Sequence, residues 1–217
     1  MARKSTRGNG AKASRNASAP KGASGHAALD GAMRLAAEQG WNKLTLAAIA
    51  DEAGVPLSDL YARYTTKQAI LDDIRKTADR AMFAGGAVTD DPARDRLFEV
   101  LMRRFDALAP WREGIAAVVE AHSRDPLAAA CSGFGAVASM AAALEAAGLN
   151  SSGLRGLVRA KALLTAWLPA MRVWLTDEGE DRAATMASLD KGLRRLDACA
   201  RFCQRPFAAP EKAPETA

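Results

Sequence analysis

Thr45, Tyr61, Arg63 and Lys67 are the side chains whose types and spacing most suggest a shared task. A hydroxyl at a helix start, a phenol, a guanidinium and an ammonium opening a further helix can all donate to phosphate oxygens. The plain alternative is a capping threonine, a half-core tyrosine and two solvated charges. Other chemistries find no constellation. Cys131, Cys199 and Cys203 form no CxxC pair, and His26 and His122 are the only histidines, so no metal ligand set emerges. Cys199 and Cys203, four apart on one helix, read as small core residues. No Ser/His/Asp set is brought together by periodicity and no glycine loop cradles phosphate, so neither an enzyme nor a cofactor is expected.

The elements that must hold the four donors are written between Leu44 and Lys67. Leu46, Ile49, Ala50 and Ala53 recur at helical spacing behind Thr45, a natural cap. Gly54 suits the left-handed residue that ends a helix, and Pro56 forces the next helix to start afresh. Leu60 and Tyr64 then share one face, with Tyr61 and Arg63 turned elsewhere. Helix, tight turn and crossing helix is the geometry that lays a second helix in a DNA major groove.

Ile49, Ala50, Ala53, Gly54, Val55, Leu60, Tyr61, Tyr64 and Lys67 carry a signature that resembles the tetracycline-repressor (TetR) family of bacterial regulators. The resemblance implies an all-α, TetR-like fold: a three-helix helix-turn-helix head, then a helical domain for ligand binding and dimerisation, about nine helices in all. It implies a ligand-responsive regulator, dimeric on a pseudo-palindromic operator. Its partners would be double-stranded DNA and a small apolar or amphipathic effector. The family's equivalents of Thr45, Tyr61 and Lys67 hold phosphates, and Pro56, Leu57, Ser58, Arg63 and Tyr64 complete the expected DNA-binding set. Leu57, Ser58 and Asp59 depart from the family's usual polar or basic residue, Gly and Thr. Asp59 suits the positive end of its helix but is repelled by phosphate.

Cap signals divide the remainder. Residues 1–25 are expected as a disordered basic tail, 26–83 as the head, 84–207 as the second domain and 208–217 as a flexible end. Asp91-Pro92, Pro110, Asp125-Pro126, Ser151 to Gly153 and Asp181 open the later helices. Phe105, Trp111, Phe134, Met140, Trp167, Met171 and Trp174 are the candidate ligand pocket, because Pro169 breaks a long helix beside large aromatics. Few charges look inward in this region. Leu164, Leu168, Leu189, Leu193 and Leu196 are the expected apolar seam of a homodimer.

A second resemblance is shorter. Arg172 to Asp177 with Thr185 to Leu193 is similar to the C-terminal pattern of the lipid-binding ubiquinone-biosynthesis accessory family, which shares the TetR fold without acting as a repressor. It implies an isoprenoid or quinone carrier, and Arg194, Arg195, Arg201 and Arg205 would then meet an anionic membrane surface.

Charge is unevenly placed. Lys and Arg total 30 against 25 acids, and six of those bases precede Asp30, the first acid, which leaves 24 against 25 beyond. The basic excess therefore belongs to the tail, either as a solvated extension or as an arm that tracks phosphate. No run is apolar enough for a signal core or a membrane span, so a cytoplasmic protein is expected.

Overall fold

The computed structural model describes residues 21–85 and 90–204, the side chains of 21–25, 126–132 and 201–204 excepted. Among the described residues there are helices and no strand. They are α1 (Lys21–Gln39), α2 (Leu46–Glu52), α3 (Leu57–Arg63), α4 (Lys67–Met82), α5 (Ala93–Leu108), α6 (Arg112–Ser123), α7 (Pro126–Ala146), α8 (Gly153–Thr176) and α9 (Ala183–Gln204). Short 3-10 turns at 41–43, 83–85 and 109–111 join some of them. The boundaries follow the cap signals closely. One differs: the helix expected from His26 already begins at Lys21, inside the segment expected as tail. Most of the basic tail, the end of the chain and Gly86 lie outside the described residues.

The head is α1 to α3 packed on the first half of α4. Ala28, Leu29, Ala32, Met33 and Ala36 of α1 close over Ile49, Leu60, Tyr64, Ile70 and Ile74, all buried. The turn between α2 and α3 is satisfied bond by bond. Gly54 takes φ +64°, its N–H donates to the Asp51 carbonyl at 3.1 Å, and the Val55 N–H reaches back to the Ala50 carbonyl at 3.0 Å. These two bonds consume carbonyls that the end of α2 would otherwise leave unpaired, and only a residue tolerant of positive φ permits them.

The body is built from α5 to α9 around Phe105, Met140, Leu163, Trp167, Trp174 and Leu189. Its helices approach closely where small residues meet. A Cβ on Gly192 of α9 would stand 2.8 Å from the Ala166 Cβ of α8. Leu189 and Leu193 are consequently buried inside the protomer, which removes them from the expected dimer seam. Leu154, Leu157, Val158 and Leu168 of α8 are the apolar side chains left exposed instead. Cys199 is exposed, not a core residue.

Two connections tie head to body. One is α4, which packs on α5 and α7. The other is α1 against α6, where Gly114 is buried so tightly that a Cβ would lie 2.4 Å from the Met33 carbonyl oxygen. Trp111 sits beside this joint and its Nε1 donates to Asp30 Oδ1 at 2.7 Å.

The pattern from Arg172 to Leu193 also has a local explanation. The Asp177 carboxylate accepts from the Thr185 N–H at 2.9 Å and the Thr185 hydroxyl at 2.6 Å, and so ties the end of α8 to the first turn of α9. The Thr185 bonds hold the Asp177 carboxyl below its ordinary range. No described helix is long and apolar enough to cross a membrane.

Candidate nucleic-acid interface

Thr45 caps α2 as its type suggests: its Oγ1 accepts from the Ala48 N–H at 3.1 Å. The hydroxyl proton is not used in that bond and Thr45 is exposed, so it can donate outward. On α3, Leu60 is buried while Pro56, Leu57, Ser58, Asp59 and Tyr61 are exposed. The Tyr61 side chain is 56% exposed and Leu57 47%, large for ring and aliphatic groups with no packing role. The Ser58 hydroxyl donates to the Asp59 carboxylate at 3.3 Å. Thr45, Tyr61 and the opening of α3 are therefore all exposed on the outside of the head.

Three of the expected contacts are placed differently. Tyr64 is 3% exposed and points into the head, with its hydroxyl donating to Asp73 Oδ2 at 2.6 Å. Burial, then the Asp73 partner, push its phenol up to about 12. A buried phenol committed to a carboxylate is a structural residue, and Tyr64 leaves the DNA-facing set. Arg63 is exposed but its Nη2 donates to the same Asp73 oxygen at 3.1 Å. Burial works against the Asp73 charge, yet the bonds from Tyr64 and Arg63 outweigh it and hold the carboxyl below its ordinary value. Lys67 is half-buried. Its ammonium donates to the Trp41 carbonyl at 2.9 Å and the Asn42 carbonyl at 3.4 Å, and lies 5.3 Å from the Trp41 ring centroid. Burial lowers its affinity for the proton. An ammonium has three donors, so one remains for an outside oxygen. Lys67 thus clips the start of α4 to the 3-10 turn between α1 and α2.

The expected ligand pocket is also rearranged. Phe134 is 80% exposed and lines no interior space. Trp111 belongs to the head–body joint, beside a cleft of about 680 Å³ lined by Asp30, Met33, Arg34, Glu38 and Glu113 among others. Phe105, Trp167 and Trp174 do come together, but against each other: Phe105 stacks on Trp167 with ring centroids 4.2 Å apart and lies 5.5 Å from Trp174. Met140 is buried and Met171 is half-buried. Helix α8 runs on through Pro169, an exposed position.

Sequence reasoning missed the charged groups that look inward. Arg104 of α5 is 6% exposed and pairs with Asp79 Oδ1 of α4. Asp79 Oδ2 accepts from Arg75 Nη1 and from the Ser139 hydroxyl of α7, each at 2.9 Å. The Arg104 guanidinium lies 5.2 Å from the Trp167 ring centroid. Burial first, and the Arg75 charge second, bring it down to about 10. A signal existed: Leu101, Arg104, Phe105 and Leu108 occupy one helical stripe, so a charge interrupts an otherwise apolar face. No group of three or more His, Cys, Asp or Glu among the described residues can hold a metal ion.

Comparison with known proteins agrees with this architecture. Residues 28–74 match the model of the bacterial regulatory proteins of the tetR family. No curated protein matches the chain. A TetR transcriptional regulator from Nitrosomonas europaea is similar with TM-score 0.66 and 24% identity, over 80% of this chain and 98% of that one. One from Rhodococcus sp. RHA1 has TM-score 0.58 and 19% identity, over 80% and 95%. A SmeT–triclosan complex has TM-score 0.51 and 20% identity, over 89% and 100%. At these identities the likeness is one of fold, and the residues that match the family model lie in the head.

Proposed function

We propose that this chain, whose head carries the tetR-family domain, is a ligand-responsive transcriptional regulator that binds a pseudo-palindromic DNA site as a homodimer in the cytoplasm. The observation that carries the reading is the exposed surface of Thr45, Pro56, Leu57, Ser58 and Tyr61 on a helix-turn-helix whose inner residues Ile49, Ala50 and Leu60 are buried in the head. Thr45, Tyr61 and the remaining donor of Lys67 position the head on phosphates, and Ser58 is the polar side chain available to a base edge. A single head offers few contacts, so two half-sites are needed. The exposed stripe Leu154, Leu157, Val158 and Leu168 on α8 supplies the apolar surface for pairing.

The folded head is a weak electrostatic partner for DNA by itself. Residues 26–83 hold seven Lys or Arg against eight Asp or Glu, whereas the six bases before Asp30 face no acid. The tail therefore supplies the phosphate-neutralising charge. Effector response is the reading for the body. A structural neighbour is a complex with triclosan, and a small amphipathic ligand that prefers one arrangement of the two heads would shift DNA affinity by that preference.

The test pairs two measurements. Sedimentation should show a dimer that Val158→Asp converts to monomer, and sequencing of bound genomic fragments should return a two-fold related motif. Deleting residues 1–20 should flatten the dependence of affinity on salt. A stable wild-type monomer that selects no DNA would sink the regulator reading.

A further inference from the structure

Asp79 is asked to neutralise two guanidiniums. Arg104, with its side chain 7% exposed, and Arg75, at 24%, both donate to its carboxylate, and Ser139 takes a share of the same acceptor. Asp72 gives Arg75 a second ion pair, its Oδ1 3.7 Å from Arg75 Nε, longer than a hydrogen bond and with its side chain 46% exposed. The Nε atoms of Arg75 and Arg104 are both buried and have no acceptor among the described residues. Asp79 is therefore shared by two guanidiniums, Asp72 pairs with Arg75 from the surface side, and two buried donors are unspent among the described residues. A buried guanidinium left short of acceptors costs free energy that any properly placed anion would recover. The cluster is bordered on one side by the apolar rings of Trp167 and Phe105, and on the other by Gly135, where a Cβ would stand 3.2 Å from Arg75 Nε.

We infer that the Arg75–Arg104–Asp79 cluster is the acid-binding end of an effector site, taking an amphipathic carboxylate whose apolar part lies toward Trp167. The inference rests on the body being the ligand-sensing part, and it names the chemical class that part accepts. A ligand carboxylate competes with Asp79 for the two arginines. Asp79 lies on α4, which continues into the head, so that exchange releases the bond holding α4 to α5 and α7 and gives the ligand a differential affinity for two positions of α4. Burial first, and the Arg75 charge second, depress the proton affinity of Arg104.

The probes are octanoate and octan-1-ol, equal in chain length and different in charge, titrated against the full chain at neutral pH and followed by tryptophan fluorescence. Octanoate should bind about tenfold or more tighter, the scale of one charge-assisted hydrogen bond. Arg104→Met should bring the two within about twofold of each other, with circular dichroism confirming the fold. Arg75→Gln, at a partly exposed position, should do the same and decides the matter if the first variant fails to fold. Equal binding of acid and alcohol, an acid preference that survives Arg75→Gln, or no saturable octanoate binding by about 10 mM would each overturn the assignment. Saturable, arginine-dependent octanoate binding that leaves DNA affinity untouched supports the acid site and counts against the ligand-responsive reading instead.

Discussion

Helix α4 carries two aspartates that collect hydrogen bonds, and they differ in what surrounds them. Asp73 accepts from Tyr64 and Arg63 of the head; Asp79 accepts from Arg75 of its own helix, Arg104 of α5 and Ser139 of α7. Six positions along a helix turn through about 240°, so the two carboxylates face different neighbours. At Asp73 one guanidinium and one phenol donate to one carboxylate. At Asp79 two guanidiniums meet one carboxylate in a more buried setting. The first ties α3 to α4 within the head. The second holds head and body together through a cluster in which one buried carboxylate serves two arginines and a serine, and the Arg75 and Arg104 Nε donors have no acceptor among the described residues.

The largest effect expected from this contrast is on stability. Asp79→Ala strips Arg104 of its counter-ion while leaving it buried, and should cost about 3–5 kcal/mol in urea unfolding. Asp73→Ala removes a more exposed pair and should cost about 1 kcal/mol. Equal costs would erase the distinction between the two clusters. Acid sharpens it further. The folded Asp73 carboxyl lies below its unfolded value, so its contribution is full above the unfolded pKa of about 3.9 and is lost as pH falls through the lower folded value. The stability gap between wild type and Asp73→Asn should therefore hold steady from pH 7 to 5 and close only below about pH 4.

The joint between α1 and α6 is the route from body to head that bypasses α4. Gly114→Ala places a Cβ 2.4 Å from the Met33 carbonyl oxygen and 2.8 Å from the Met33 Cα, and backbone on one side cannot yield as a side chain does. The two helices must separate, at about 1–3 kcal/mol. If α4 alone sets the head's position, this variant should lose stability and keep its DNA affinity. A loss of DNA affinity beyond the loss of folded protein would show that α1 and α6 share the task.

The same contrast explains what was legible before the structure. The signature from Thr45 to Lys67 is local: a cap, a left-handed glycine, a proline and a buried leucine are read in order along the chain, and each did its expected work. Tyr64 shows the limit of that reading. Four residues after Leu60 it follows the buried face, and its hydroxyl finds Asp73 only because α4 folds back across α3. The body depends on such long returns throughout. Asp79, Arg104 and Ser139 lie on three helices, and periodicity within any one of them says only that a polar group interrupts an apolar stripe. The aromatic residues were recognised as a group, but whether they line space or fill it depends on the distance between α5 and α8, which no single helix encodes.

The smallest expected effect lies on the exposed face of the head. Asp59 stands in the first turn of α3, exposed, with its carboxylate accepting from the neighbouring Ser58 hydroxyl at 3.3 Å. Seated near a groove it faces phosphate, and like charges at that range repel. Asp59→Thr removes the repulsion and frees Ser58 to donate elsewhere. It also forfeits a favourable interaction with the helix N-terminus, worth about 0.3–1 kcal/mol. DNA affinity should rise by about 1 kcal/mol at low salt and by less as salt is raised, because exposed charges are screened over about 10 Å at 0.1 M. Folded stability should move the other way by the smaller amount. Filter binding across a salt series separates the two. A gain that does not shrink with salt would mean that Asp59 obstructs the contact by shape, and an unchanged affinity would place α3 away from the DNA backbone altogether.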